Sequence, residues 1–181
     1  MTSTTAGGLE QGAAARRLAL EVLARVEDDG AYANLVLSAM LDRSDLASND
    51  RGFVTDLVYG TLRRQRALDH LVDRFLSSAP PPAARRALRL GAYQLVVRDD
   101  IPTYAAVSAT VDAAPKRFRG LVNAVLRKVA GAPITYPDLG TELSYPDWVV
   151  DLLRTDLGPE VADAALRSMN EPASATVRAD G

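Results

Sequence analysis

The chain has 181 residues, 48% of them hydrophobic, and a formal net charge of −2. This length is enough to bury a core, and the absence of cysteine excludes disulfides, a cysteine nucleophile and thiolate metal sites. No apolar run approaches the roughly 18 residues that a membrane span requires, and the opening MTSTTAGGLEQG lacks the basic and apolar parts of an export signal. We therefore expect a soluble, cytoplasmic protein with no membrane partner and a disordered tail over residues 1–12.

Helical periodicity dominates the first half of the chain. The segment ARRLALEVLARVE repeats its apolar residues at helical spacing, and a second, shorter helix is predicted over residues 35–41. A third helix is predicted to begin near SNDRGF, with Ser48 as its N-cap and Asp50 in its first turn. The apolar pattern over residues 50–77 fits either one long helix or two helices with a break near Gly60.

Prolines and glycines divide the next segment into further helices. Three prolines at residues 80–82 end one helix and begin the next, and another helix follows Ile101 and ends at Pro115. In RFRGLVNAVLRKVAG, residues 117–131, one face is an apolar stripe and the other carries cations. The pattern predicts an all-α fold with about seven helices up to Gly131.

A change in composition follows this helix. Residues 132–143 contain prolines, a glycine and scattered polar groups, which predicts a linker. A new start is expected over residues 144–181, where Ser144 and Asp147 have the spacing of a capping box. Short helices follow, and the pair Thr176-Val177 gives the first hint of a strand. We interpret residues 144–181 as the truncated beginning of a second domain.

Charge is distributed in blocks along the chain. Seven acidic residues face two arginines over residues 21–50, and seven arginines face two aspartates over residues 63–89. Residues 113–137 carry five basic residues and no acid, and residues 138–163 carry seven acids and one arginine. Such blocks predict one basic surface on a protein that is not basic overall.

The arginine clusters are the residues best suited to bind a ligand. Guanidinium groups pair with phosphate oxygens and stack on exposed bases, although a single surface arginine usually serves solubility or ion pairing. Taken as a group, the clusters make RNA or DNA binding as well supported as an ordinary surface role in solubility and ion pairing. Their members are Arg63, Arg64, Arg66, Arg85, Arg86, Arg89, Arg117, Arg119, Arg127 and Lys128. Neither a glycine-rich phosphate loop nor the spacing of a metal site occurs in the sequence.

Three segments together resemble a known family. NDRGFVTDLVYGTLRRQRALDHLVD, RRALRLGAYQLVVRDDIPTYAAVSATVDAA and FRGLVNAVLRKV are similar, in order and spacing, to the NusB-like fold, an all-helical RNA-binding bundle. The resemblance implies an RNA-binding domain over residues 13–131. Phrases such as YGTLRR, and the later SYPDWVVDLLRTDLG and MNEPASATVRADG, resemble the RsmB (Sun/Fmu) family of 16S ribosomal RNA cytosine-C5 methyltransferases.

The resemblance carries several functional expectations. It implies ribosomal RNA and the protein's own C-terminal catalytic domain as partners, and S-adenosylmethionine as the cofactor of the full-length enzyme. Because the cofactor fold and the cysteine nucleophile are absent from these residues, we expect no cofactor and no methyltransferase activity in this chain alone. Arg16 and Arg17 match a basic first helix that contacts RNA in the antitermination factor.

The same resemblance assigns structural roles to Asp50, Gly60, Asp69 and Asn123. Asn123 either joins Arg119 and Arg127 in contacting RNA or holds a helix junction by hydrogen bonds, and the second role is favoured. Three functions remain open: an RNA-binding accessory domain of a methyltransferase, a NusB-type antitermination or regulatory module, and an intramolecular scaffold without RNA contact.

Overall fold

The computed structural model describes residues 3–171, with side chains described from residue 12 onward. The first helix, α1, spans Ser3–Asp28, so the segment 1–12 that was expected to be a disordered tail is helical from residue 3. Extending an existing helix requires far less free energy than nucleating one, and the apolar turns over residues 13–28 provide the nucleus. Gly30 follows with a φ of 65°, a left-handed conformation that turns the chain after the helix.

Six more α-helices complete the first compact unit, which ends at Thr135. They are α2 (Ala33–Asp42), α3 (Ser48–Arg63), α4 (Gln65–Asp73), α5 (Pro82–Val97), α6 (Thr103–Ala113) and α7 (Arg119–Gly131). A short 3-10 turn, Lys116–Phe118, precedes α7. The expected all-α fold with seven helices up to Gly131 is confirmed, and no strand occurs over residues 3–171.

Helices α1 and α5 lie at the centre of this unit. α1 packs against α2, α3, α5 and α6, and α5 packs against α3, α4, α6 and α7. On α7, Val122, Val125, Leu126 and Val129 are buried as the apolar stripe predicted, whereas Leu121 at the edge of the stripe is 37% exposed. Each fully buried aliphatic side chain contributes about 1.5–3 kcal/mol to the bundle.

Two glycines allow helices to approach closely. A Cβ at Gly60 would lie 2.1 Å from Cζ of Tyr93, and a Cβ at Gly91 would lie 2.3 Å from Cδ1 of Leu126. Gly60 is therefore a contact point between α3 and α5, not a break. Helix α3 continues past Gly60 to Arg63, and the break between α3 and α4 falls at Arg64.

The predicted N-cap of α3 is also corrected. Ser48 is the first helical residue, and Ala47 occupies the cap position without a side-chain hydrogen bond. Asp50 lies in the first turn as expected, where its carboxylate interacts favourably with the positive end of the helix dipole.

The second compact unit begins at Tyr136 and contains α8 (Leu139–Leu143), α9 (Asp147–Leu157) and α10 (Pro159–Met169). The predicted linker 132–143 therefore includes a helix, which Asp138 caps by accepting a hydrogen bond from the amide of Thr141. Ser144, predicted to cap α9, is the C-cap of α8 with a left-handed φ of 62°, and Pro146 occupies the N-cap position of α9. The strand expected at Thr176-Val177 lies outside the described residues.

Within the described part of the chain, no helix has the length and apolarity to cross a membrane.

Candidate nucleic-acid interface

The two arginines of α1 lie in different environments. Arg16 is only 5% exposed, while Arg17 is exposed. The Arg16 guanidinium donates to Oε1 of Gln94 at 2.8 Å and to the carbonyl of Gly12 at 2.8 Å, and it stacks 4.9 Å from the centroid of the Phe53 ring. Burial lowers the pKa of Arg16 to about 10. The donors of Arg16 are therefore directed into the protein.

The three arginines of α5 form ion pairs with the protein's own carboxylates. Arg89 binds Asp69 through two hydrogen bonds, of 2.8 and 2.6 Å, and binds Glu27 at 2.8 Å. Burial acts to lower the pKa of Arg89, but the Asp69 and Glu27 carboxylates more than offset it and raise that pKa. Asp69, expected to have a structural role, thus links α4 to α5.

Arg85 and Arg86 extend the same cluster. Arg85 pairs with Asp73 and also donates to Asp69, and Arg86 donates to Asp28 at 2.8 Å. Only 8% of the Arg86 side chain is exposed. The guanidinium groups of Arg85, Arg86 and Arg89 are thus bound to carboxylates of the protein itself.

The arginines between α3 and α4 are partly accessible. Arg63 is exposed in the last turn of α3, where a cation is favoured by the helix dipole. Arg64 occupies the junction between the two helices and is half-buried, and Arg66 is half-buried in the first turn of α4. Of the three, Arg63 presents the most open guanidinium group.

The start of α7 carries two arginines of different use. Arg119 donates to the carbonyls of Asp112 at 2.7 Å and Ala114 at 3.2 Å, so it binds the C-terminal end of α6. The guanidinium of Arg117 lies 4.6 Å from the centroid of the neighbouring Phe118 ring. Arg117 is exposed, and its charge remains accessible to solvent.

The end of α7 carries two exposed cations. Arg127 and Lys128 are exposed, and neither forms an ion pair with any residue in the described part of the chain. Asn123 lies one turn before Arg127 and is half-buried. Its amide makes no hydrogen bond to a described residue, so the expected helix-junction role has no partner among residues 12–171.

Asn123 and Arg127 face a groove between α6 and α7. The groove has a volume of about 760 Å³. Its lining consists of Thr103, Tyr104, Val107, Ser108, Asn123, Arg127 and Ala130. Sequence reasoning missed Tyr104, which is 74% exposed, because a tyrosine in the first turn of an amphipathic helix gives no signal of its direction.

Comparison with known proteins identifies the family of the helical bundle. Residues 13–131 match the NusB family. The chain belongs to the NusB family. It is 43% identical over 169 residues to the ribosomal RNA small subunit methyltransferase B of Thermus thermophilus, a match that covers 91% of this chain and 40% of the relative.

Other relatives carry similar names. The probable ribosomal RNA small subunit methyltransferase B of Bacillus subtilis is 33% identical over 177 residues, covering 90% of this chain and 40% of the relative. A putative methyltransferase of Mycobacterium tuberculosis is 42% identical over 124 residues, covering 65% of this chain and 27% of the relative. The chain thus spans about 40% of the length of its first relatives.

Proposed function

We propose that residues 13–131 form an RNA-binding domain that helps a ribosomal RNA methyltransferase to hold its RNA. The observation that carries this proposal is the basic end of α7, where Arg127 and Lys128 have no acidic partner among the described residues. They belong to a stretch, residues 113–137, with five basic residues and no acid. The resemblance in sequence to enzymes named for ribosomal RNA supports RNA as the ligand.

The chemistry of this surface suits a phosphate backbone. An exposed guanidinium or ammonium group binds a phosphate oxygen and releases the counterions condensed on the nucleic acid. Arg17, Arg63 and Arg117 are further exposed cations of the same unit and are candidates for additional phosphate contacts.

Binding is tested with a fluorescent fragment of 16S ribosomal RNA titrated across a salt series. We expect affinity to fall steeply with salt, and the double variant Arg127→Gln/Lys128→Gln to bind more weakly at every salt concentration. For single-stranded RNA, each lost phosphate contact reduces the slope of log K against log salt by about 0.7. Arg43→Gln is the matched control, because Arg43 is exposed beside acidic residues at the end of α2. Absence of binding by the wild type at low salt contradicts the proposal.

The catalytic step belongs, in this proposal, to a C-terminal domain beyond these residues. S-adenosylmethionine is the methyl donor that such a cytoplasmic enzyme requires. The described residues do not fit this cofactor, since they contain no strand that leads into a glycine-rich turn. The chain alone is accordingly proposed to have no methyltransferase activity.

The second unit is proposed to contact that catalytic domain. Five large apolar side chains on α9 and α10 are 48–68% exposed: Trp148, Leu152, Leu157, Val161 and Met169. Exposed apolar residues at this density are typical of a surface that packs against another domain. Leu152→Asp in the longer gene product should lower its thermal midpoint, while the same change in this chain should have little effect. Equal shifts in both proteins would contradict the contact.

A scaffold without RNA contact is the second candidate function. The ion pairing of Arg85, Arg86 and Arg89 favours it, because it removes three cations from any RNA surface. Deleting residues 13–131 from the longer gene product would then lower stability and leave RNA affinity unchanged, whereas our proposal requires RNA affinity to fall. A NusB-type regulatory module is distinguished by the gene itself, which would lack a catalytic domain.

A further inference from the structure

The groove between α6 and α7 combines an exposed aromatic ring with neutral and cationic polar groups. Tyr104 lies in the first turn of α6, and Asn123 and Arg127 lie one turn apart on α7. The remaining polar lining consists of the hydroxyls of Thr103 and Ser108, and no carboxylate of a described residue lines the groove. The lining that the structure describes is therefore neutral or cationic.

Tyr104 is not needed by the core of the protein. Its side chain is 74% exposed, while Val107, one turn later on the same helix, is 7% exposed and packs in the core. The ring forms neither a hydrogen bond nor a ring contact with any residue in the described part of the chain. An unpaired aromatic face at the edge of a groove is available for stacking.

Asn123 supplies hydrogen-bonding groups that the protein leaves unused. Its amide offers two donors and one acceptor, and none is paired with a described residue. Arg127 adds a guanidinium plane beside it, and Lys128 places a second cation next along α7. Proteins bind single-stranded RNA through aromatic faces that stack on bases, polar groups that hydrogen-bond base edges and cations that bind phosphates.

We infer that this groove, here called the α6–α7 groove, binds an unpaired nucleobase of single-stranded RNA, with the base stacked on Tyr104. Asn123 hydrogen-bonds the edge of the base, and Arg127 binds the adjoining phosphate. This inference rests on the proposed RNA-binding function and adds to it a specific position for an unpaired nucleotide.

Charge complementarity favours RNA over a protein helix as the occupant. A hydrophobic peptide would gain little from the unpaired Asn123 amide and would have to cover the exposed cation of Arg127. Much of the lining surface is apolar, and the face of a nucleobase can pack against it as it does against the Tyr104 ring. An RNA nucleotide satisfies the ring, the amide and the cation together.

The test compares a labelled single-stranded 12-nucleotide RNA with a blunt-ended RNA duplex in which every base is paired, using fluorescence anisotropy on the full 181-residue chain. Tyr104→Ala should weaken single-strand binding about 5- to 150-fold, the range for losing one base–aromatic stack, and leave duplex binding unchanged. Tyr104→Phe keeps the stacking face and should bind within about twofold of the wild type. Arg127→Gln should weaken binding to both RNAs, because both carry phosphates.

Tyr32→Ala is the matched control, because Tyr32 is 76% exposed and does not line the groove. If wild type binds both RNAs but Tyr104→Ala binds the single strand as tightly as Tyr32→Ala, the inference is overturned and RNA binding stands. If wild type binds neither RNA at low salt, both the proposed function and this inference fail. An unchanged helical circular dichroism spectrum establishes that Tyr104→Ala folds normally.

Discussion

Replacing Arg16 by alanine should destabilise the protein without weakening RNA binding. Arg16 is buried and donates to Gln94, which is itself fully buried on α5 and donates in turn to Thr110 on α6. This chain of hydrogen bonds joins three helices at the centre of the first unit. The change removes the charged donor and leaves Oε1 of Gln94 without a partner.

The expected loss follows from these contacts. A hydrogen bond from a charged donor contributes about 1.5–3 kcal/mol, and the guanidinium over the Phe53 ring adds about 0.5–2 kcal/mol. Removing Arg16 also removes the unfavourable burial of its charge, which is visible in its lowered pKa. We therefore expect the free energy of unfolding to fall by about 2–4 kcal/mol.

Urea denaturation followed by circular dichroism at 222 nm measures this change. Tryptophan fluorescence is unsuitable, because the single tryptophan, Trp148, lies in the second unit. Arg17→Ala is the matched control and should change stability by less than about 0.5 kcal/mol, since Arg17 is exposed. Equal small effects of the two substitutions, or a loss of RNA affinity specific to Arg16→Ala, would refute this reasoning.

Two further changes test the contact between α3 and α5. Gly60→Ala should destabilise by about 1–3 kcal/mol in urea, because its Cβ would overlap the buried Tyr93 ring, whereas Gly52→Ala on the same helix meets open space and should stabilise by about 0.5–1 kcal/mol. A neutral Gly60→Ala would show that the ring moves freely. Burial and the nearby Asp56 raise the pKa of Tyr93 to about 12. An unfolded tyrosine ionises near pH 10. The stabilisation that the neutral Tyr93 phenol gives the folded state is therefore complete below pH 10 and disappears by about pH 12. Tyr93→Phe, which also lacks the 2.9 Å hydrogen bond to Asp56, should be less stable than wild type at pH 8, with a gap that narrows above pH 10; a constant gap would contradict this assignment.

Helix number and the buried faces were predictable because they depend on local periodicity. The stripe Val122, Val125, Leu126 and Val129 repeats at helical spacing, and burial follows directly from it. Boundaries were less predictable. A glycine inside a helical pattern indicates either a break or a close approach, and only the position of Tyr93 shows that Gly60 is a close approach.

The sequence predicted that arginines would form the candidate site, but it did not predict which of the arginines are ion-paired within the protein. Sequence clustering treats the arginines of α5 and α7 alike, yet Glu27 from α1 reaches Arg89 across 62 residues of sequence. Arg16 and Arg17 are adjacent in the chain, but the helical rotation between neighbours places one inside and one outside. Such assignments depend on long-range packing, which a linear charge pattern does not contain.

The pairing of the charge blocks explains how a protein of net charge −2 can offer a local cationic surface. Acids from the first block and arginines from the second neutralise each other between α1 and α5, as Asp28 and Arg86 do. The third block, residues 113–137, has five cations and no acid of its own, and one of them, Arg119, is bound to backbone carbonyls of α6. Four phosphate contacts on single-stranded RNA correspond to a salt slope of about −2.8. A steeper slope would require cations from outside α7 and its preceding turn, and Arg17 and Arg63 are then the exposed candidates, because the arginines of α5 would have to leave their carboxylates.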